Sequence, residues 1–166
     1  MGLARMGVSM RGWEWSLAAA LLLSASAVSA QTPISLPIAQ GLWINAASKC
    51  ATVANGYLFD GARWGAIYYY GPNGSMGPIA ELEKIGRTAL RKDGFTDMQL
   101  GDTESAGYFH VKSLAPGRMM LRTGAPAPEG IQVIDDTLVR CPFASLSPKM
   151  KVALKRFAPV LATAAK

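Results

Sequence analysis

From residue 41 onward, short apolar runs alternate with polar positions and are broken by Gly- and Pro-bearing turns, a rhythm that predicts strands. Leu42 to Ala46 is the first run. Gly56 to Phe59 leads through Asp60-Gly61, a tight-turn pair, into Arg63 to Tyr70, so a hairpin is expected there. Gly71-Pro72-Asn73-Gly74 ends it in a second turn. Phe95 to Leu100, Gly107 to Leu114, Arg118 to Thr123 and Ile131 to Cys141 repeat the pattern, with turn residues between them. Such spacing predicts a mainly antiparallel β fold of about seven to eight strands, either a small barrel, a strongly curved sheet or a sandwich.

Two stretches depart from this rhythm. Residues 78–92 carry helix signals: Pro78 at the first helical position, Glu81 and Glu83 early, Arg87, Arg91 and Lys92 late, Gly94 at the end. Ile79, Leu82, Ile85 and Ala89 fall on one helical face. The segment nevertheless sits among hairpins, and Arg91 to Phe95 also reads as a hairpin turn. Helix is the preferred reading, which gives α+β as the alternative class. The chain ends in a second helix, with Ser147 as N-cap and Pro148 at the first position. Met150, Leu154, Phe157 and Leu161 form its apolar stripe, and Pro159 should break it near Phe157.

The opening residues read differently again. Arg5 and Arg11 precede the apolar run Leu17 to Leu23, and Val28 and Ala30 occupy the −3 and −1 positions of a small-residue cleavage site. Residues 1–30 are thus expected to be a secretory signal, with export to the periplasm or beyond after cleavage between Ala30 and Gln31. Residues 31–40, with two prolines, form an extended lead-in. The β-rich domain spans 41–146, and 147–166 are a basic helix and tail packed on it. Two cysteines remain after export, and an oxidising compartment favours a Cys50–Cys141 bridge.

Charge narrows the class of partner. The formal net charge is +6, yet residues 31–148 hold ten Lys or Arg against ten Asp or Glu. Beyond residue 30 the excess lies in the last eighteen residues, at Lys149, Lys151, Lys155, Arg156 and Lys166, which meet no acid. A nucleic-acid surface needs basic residues spread through the fold, so that class is excluded. The terminal helix either packs its stripe on the sheet with its lysines solvated, or lies on an anionic membrane surface.

Gly41-Leu42-Trp43 on the first strand resembles the Gly-x-Trp motif of the calycins, the lipocalin-like barrels. In that family a basic residue on the last strand packs over the Trp and a helix follows the barrel. Arg140 and the segment 148–158 stand in those places. The resemblance implies a barrel that binds a small apolar ligand or another protein.

Little catalytic chemistry is visible. His110 is the single His, so a multi-His metal site is excluded, and it reads as a surface residue. Gly74-Ser75-Met76-Gly77 lacks the glycine two positions before the Ser that a nucleophile elbow needs. Asp97, Asp102, Asp135 and Asp136 lack the spacing of a calcium loop and read as carboxylates capping turns. No metal or other cofactor is called for. The aromatic group Trp64, Tyr68, Tyr69 and Tyr70 is the candidate ligand or partner face: alternation puts Tyr68 and Tyr70 on one side and Tyr69 with Ile67 on the other, so one set should be exposed or line a cavity. The expectation is an exported, non-enzymatic binding module, with an envelope-associated protein acting through its cationic helix as the alternative.

Overall fold

In the computed structural model, each strand pairs antiparallel with its successor and the last pairs with the first, so the sheet closes into an eight-stranded barrel. The structure describes residues 34–101, 109–127 and 130–163. The strands are β1 (Gly41–Asn45), β2 (Asn55–Phe59), β3 (Arg63–Tyr70), β4 (Met76–Leu90), β5 (Thr96–Leu100), β6 (Phe109–Ala115), β7 (Arg118–Ala127) and β8 (Gly130–Cys141). Helices α1 (Pro148–Phe157) and α2 (Pro159–Thr163) follow. The segment read as a secretory signal, and Asp102, lie outside the described residues.

Alternation along the strands creates two cores, one on each face of the wall. Inward positions bring Trp43, Phe59, Trp64, Ile85, Met98 and Leu121 together inside the barrel. An eight-stranded barrel is just wide enough for side chains to fill it. Outward positions Leu42, Ile44, Leu58 and Ile67 meet Met150, Ala153 and Leu154 of α1. The helix therefore roofs β1, β2 and β3 from outside, and its apolar stripe is consumed in doing so. Ser147 caps it, accepting a hydrogen bond from the Met150 N–H at 3.2 Å. The break at Pro159 falls where the sequence places it.

The expected helix at 78–92 is instead β4, a 15-residue strand that pairs with both β3 and β5. The physical reason lies in its two covered faces. Ala80 and Leu82 pack outward in the core shared with α1, while Ile85 points into the barrel. A strand buried in part on both sides loses the clean period of two, and its apolar positions can imitate helical spacing. Arg91 to Phe95 is the β4–β5 turn, with Gly94 at φ 81° and the Arg91 N–H donating to the Phe95 carbonyl at 2.7 Å.

Closure is reinforced at three places. Cys50, in the β1–β2 connection, is bridged to Cys141 at the end of β8, with a Cα–Cα distance of 5.6 Å. Ile34, Leu36 and Ile38 of the lead-in pack against the barrel core, and the Trp43 indole N–H donates to the Ala39 carbonyl at 3.1 Å. This closes the end of the barrel at which β1 begins. Asp60 accepts from the Ala62 and Arg63 N–H groups and from the Arg63 guanidinium, which also donates to the Phe157 carbonyl at 2.8 Å. The end of α1 is thereby latched to the β2–β3 turn. Among the described residues, no helix is long and apolar enough to cross a membrane.

Candidate functional site

At the opposite end, where β1 finishes and β2 starts, the interior is not filled. A hollow of about 290 Å³ opens there. Trp43 and Leu138 form its floor, Tyr57 and Tyr68 its aromatic walls, and Asn45, Asn55 and Asp136 its polar rim. Register explains the space. Inward on neighbouring strands, Tyr57 is paired with Trp43 on one side and with Ala66 on the other. The Ala66 methyl cannot reach as far as the aromatics beside it, so room remains above Leu138.

The polar groups of the mouth are unevenly satisfied. Asn45 Oδ1 accepts from the Ala47 N–H at 2.9 Å, which fixes that amide in a local turn. The Tyr68 hydroxyl donates to Glu81 at 2.8 Å, and this bond holds the Tyr68 phenol above its ordinary pKa. Tyr57 is also raised, first by burial and then by the negative charge of Asp136. Neither the Asp136 carboxylate nor the Tyr57 hydroxyl has a hydrogen-bond partner among the described residues. The buried Trp64 Nε1 has none there either, and its indole stacks on Tyr57 with centroids 5.5 Å apart. Native interiors leave few such groups unpaired, and functional sites are one place where they collect.

No protein-family model, curated protein or solved structure matches this chain.

The aromatic group expected as one face is divided. Trp64 is fully buried in the barrel core. Tyr69 serves the helix: its hydroxyl donates to the Lys149 carbonyl at 3.0 Å and the Lys149 ammonium lies 4.0 Å from its ring centroid. Tyr68 lines the mouth, and Tyr70 stands at its lip, edge-on to Tyr68 at 6.5 Å. The basic helix is divided too. Lys149 donates to the Gly74 carbonyl and Lys151 to the Ala144 carbonyl, whereas Lys155 and Arg156 are exposed.

Two expectations from the sequence need correction. His110 is not a plain surface residue: its side chain is only 15% exposed and its Nδ1 lies 2.6 Å from Asp97. Asp135 and Asp136 do not cap a turn but sit inside β8, one facing out and one facing the mouth. The outer row Asp97–His110–Arg122–Asp135 runs straight across β5 to β8, each residue the register partner of the next. Arg122 grips Asp135 with two bonds of 2.7 and 2.9 Å and lies 4.1 Å over the Phe95 ring. Its hydrogen bond holds the Asp135 carboxyl below its ordinary pKa. These groups satisfy one another and knit the wall together. Among the described residues no cluster of three or more His, Cys, Asp or Glu could hold a metal ion.

A larger hollow of about 520 Å³ lies outside the barrel, between the β1–β8 seam and the ends of the helices. Its one charged group, Arg140, already donates to the Gln40 carbonyl at 3.2 Å. With that charge already engaged and no carboxylate or aromatic hydroxyl in its described lining, it is the weaker site, and the mouth is the stronger.

Proposed function

We propose that this chain is an exported, non-enzymatic binding module that takes a small, partly apolar ligand in the mouth of its barrel. One observation carries the reading: a hollow opens at one end of the barrel beside its packed core, with aromatic walls and a carboxylate that has no hydrogen-bond partner among the described residues. Ligand sites are typically concave and mostly apolar, with a few convergent polar groups. The volume corresponds to about ten molecules of liquid water, which suits a ligand of fragment size. Export is supported by the signal pattern of residues 1–30 and by the disulfide, which belongs in an oxidising compartment. The resemblance to the calycins points to the same place, because a Gly-x-Trp first strand, a closed antiparallel barrel and a following helix are ordered here as in that family.

The alternative, membrane association through the cationic helix, has less behind it. An interfacial helix must offer an apolar face to the lipid. Here Met150, Ala153, Leu154 and Leu161 are buried against the barrel, and Lys149 and Lys151 are tied to backbone carbonyls.

Native mass spectrometry of the protein purified from a periplasmic fraction tests the reading. A small adduct on the wild type that is lost in Ala66→Phe, which fills the mouth, is the expected result. An adduct that Ala66→Phe retains would place the ligand elsewhere.

A further inference from the structure

We infer that the mouth selects a small organic cation, an ammonium group carried on an apolar or aromatic body. The inference rests on the proposed ligand site and adds the charge class of its occupant. Among the described residues, Asp136 is the one charged side chain lining the hollow, and no Lys, Arg or His lines it. The other described aspartates show how unusual this is. Asp60 pairs with Arg63, Asp93 with Arg91 and Arg122, Asp97 with Arg91 and His110, and Asp135 with Arg122. Asp136 adjoins Asp135 in sequence, yet the strand turns it to the opposite face, where among the described residues no cation meets it.

The surroundings of this carboxylate suit a cation in a second way. Trp43, Tyr57 and Tyr68 line the same hollow, and the face of an aromatic ring attracts positive charge. Glu81 adds a second carboxylate at the lip, held beside Tyr68 by the hydroxyl bond of 2.8 Å. The charge of Asp136 reaches across the mouth, since it contributes after burial to raising the Tyr57 phenol. An anion entering here meets two carboxylates and aromatic faces, all repulsive. A neutral ligand gains the apolar floor alone and leaves Asp136 unpaired.

Three probes of nearly equal shape separate these cases: benzylammonium, benzyl alcohol and benzoate, each titrated at pH 7 and equal ionic strength while the backbone amides of the intact mature protein are followed by NMR. Benzylammonium should shift the amides of Tyr57, Tyr68 and Asp136 with an affinity at least about tenfold above that of benzyl alcohol, and benzoate should leave them unmoved. The preference should shrink with added salt and fall to near unity in Asp136→Asn. Equal affinity for benzyl alcohol and benzylammonium in the wild type overturns the charge inference while the mouth stands as a ligand site. Silence from all three at millimolar concentration overturns it as well, and the Ala66→Phe adduct experiment then judges the site alone. The wild-type comparison needs no variant, so instability of Asp136→Asn does not remove the test.

Discussion

Trp43 on β1 is the direct register partner of Arg140 on β8, and this pair sits on the seam where the sheet becomes a barrel. Gly41 makes the seam possible. Its φ is 155°, and a Cβ added there would come within 2.9 Å of the Arg140 stem. The guanidinium then continues to the Gln40 carbonyl. Gly41→Ala should therefore destabilise the domain by about 1–2 kcal/mol in urea unfolding. Part of that loss should disappear in an Arg140→Ala background, which removes the crowded methylenes but leaves the backbone strain. Equal losses in both backgrounds would show that the stem does not matter.

The bridge between Cys50 and Cys141 spans 91 residues of sequence. Loop-closure arithmetic for a ring of that size gives about 4 kcal/mol. The Cys50→Ser, Cys141→Ser double variant should lose most of this in chemical unfolding, with a steeper dependence on denaturant as the unfolded chain expands.

Acid should loosen the latch on α1. Burial works against ionisation of Asp60, but the N–H groups of Ala62 and Arg63 and the Arg63 guanidinium outweigh it, and the folded pKa lies below its ordinary value. A group lowered in the folded state stabilises above its unfolded pKa, and that stability is lost as pH falls through the folded one. Stability should thus decline below the ordinary carboxylate range, and Asp60→Asn should flatten this decline while costing about 1–2 kcal/mol at neutral pH. The check is the pH dependence of unfolding for both proteins.

Much of this architecture was legible in the sequence, and what was not has a physical cause. Strands β2 and β3 are covered on both faces, and the Asp60-Gly61 turn between them declared the hairpin. The stretch read as a helix at 78–92 failed because α1, far along the chain, covers the outer face of β4 at Ala80 and Leu82. The division of the tyrosines between mouth and helix was half visible: parity separated Tyr69 from Tyr68 and Tyr70, but which side held the roof depended on where α1 docks. Asp136 had no signal of its own. Its place depends on an inward position paired with Leu121 of β7 and on what lines the same hollow, and adjacency to Asp135 hid the difference. The alternation of Asp136 against Asp135 was available, but only the register shows that the pair straddles the wall.

The lysines of α1 should behave unequally. Lys149 lies over Tyr69 and donates to the Gly74 carbonyl, whereas Lys155 is exposed. Lys149→Ala should lower stability by about 1 kcal/mol and Lys155→Ala by less than about half that. Removing residues 149–166 should unfold the domain rather than release a soluble barrel, because it strips Met150, Ala153 and Leu154 from the outer core. A truncated protein with native circular dichroism would contradict the account of α1 as part of the core.

On the proposed function, a ligand binds in the barrel mouth. An NMR screen of small aromatic and amine fragments against the nitrogen-15-labelled protein tests it most directly. Shifts should gather at Asn45, Asn55, Tyr57, Tyr68 and Asp136 and be abolished by Ala66→Phe. Shifts gathered instead at Gln40, Arg140 and Phe143 around the outer hollow, or mouth shifts that survive Ala66→Phe, would contradict it.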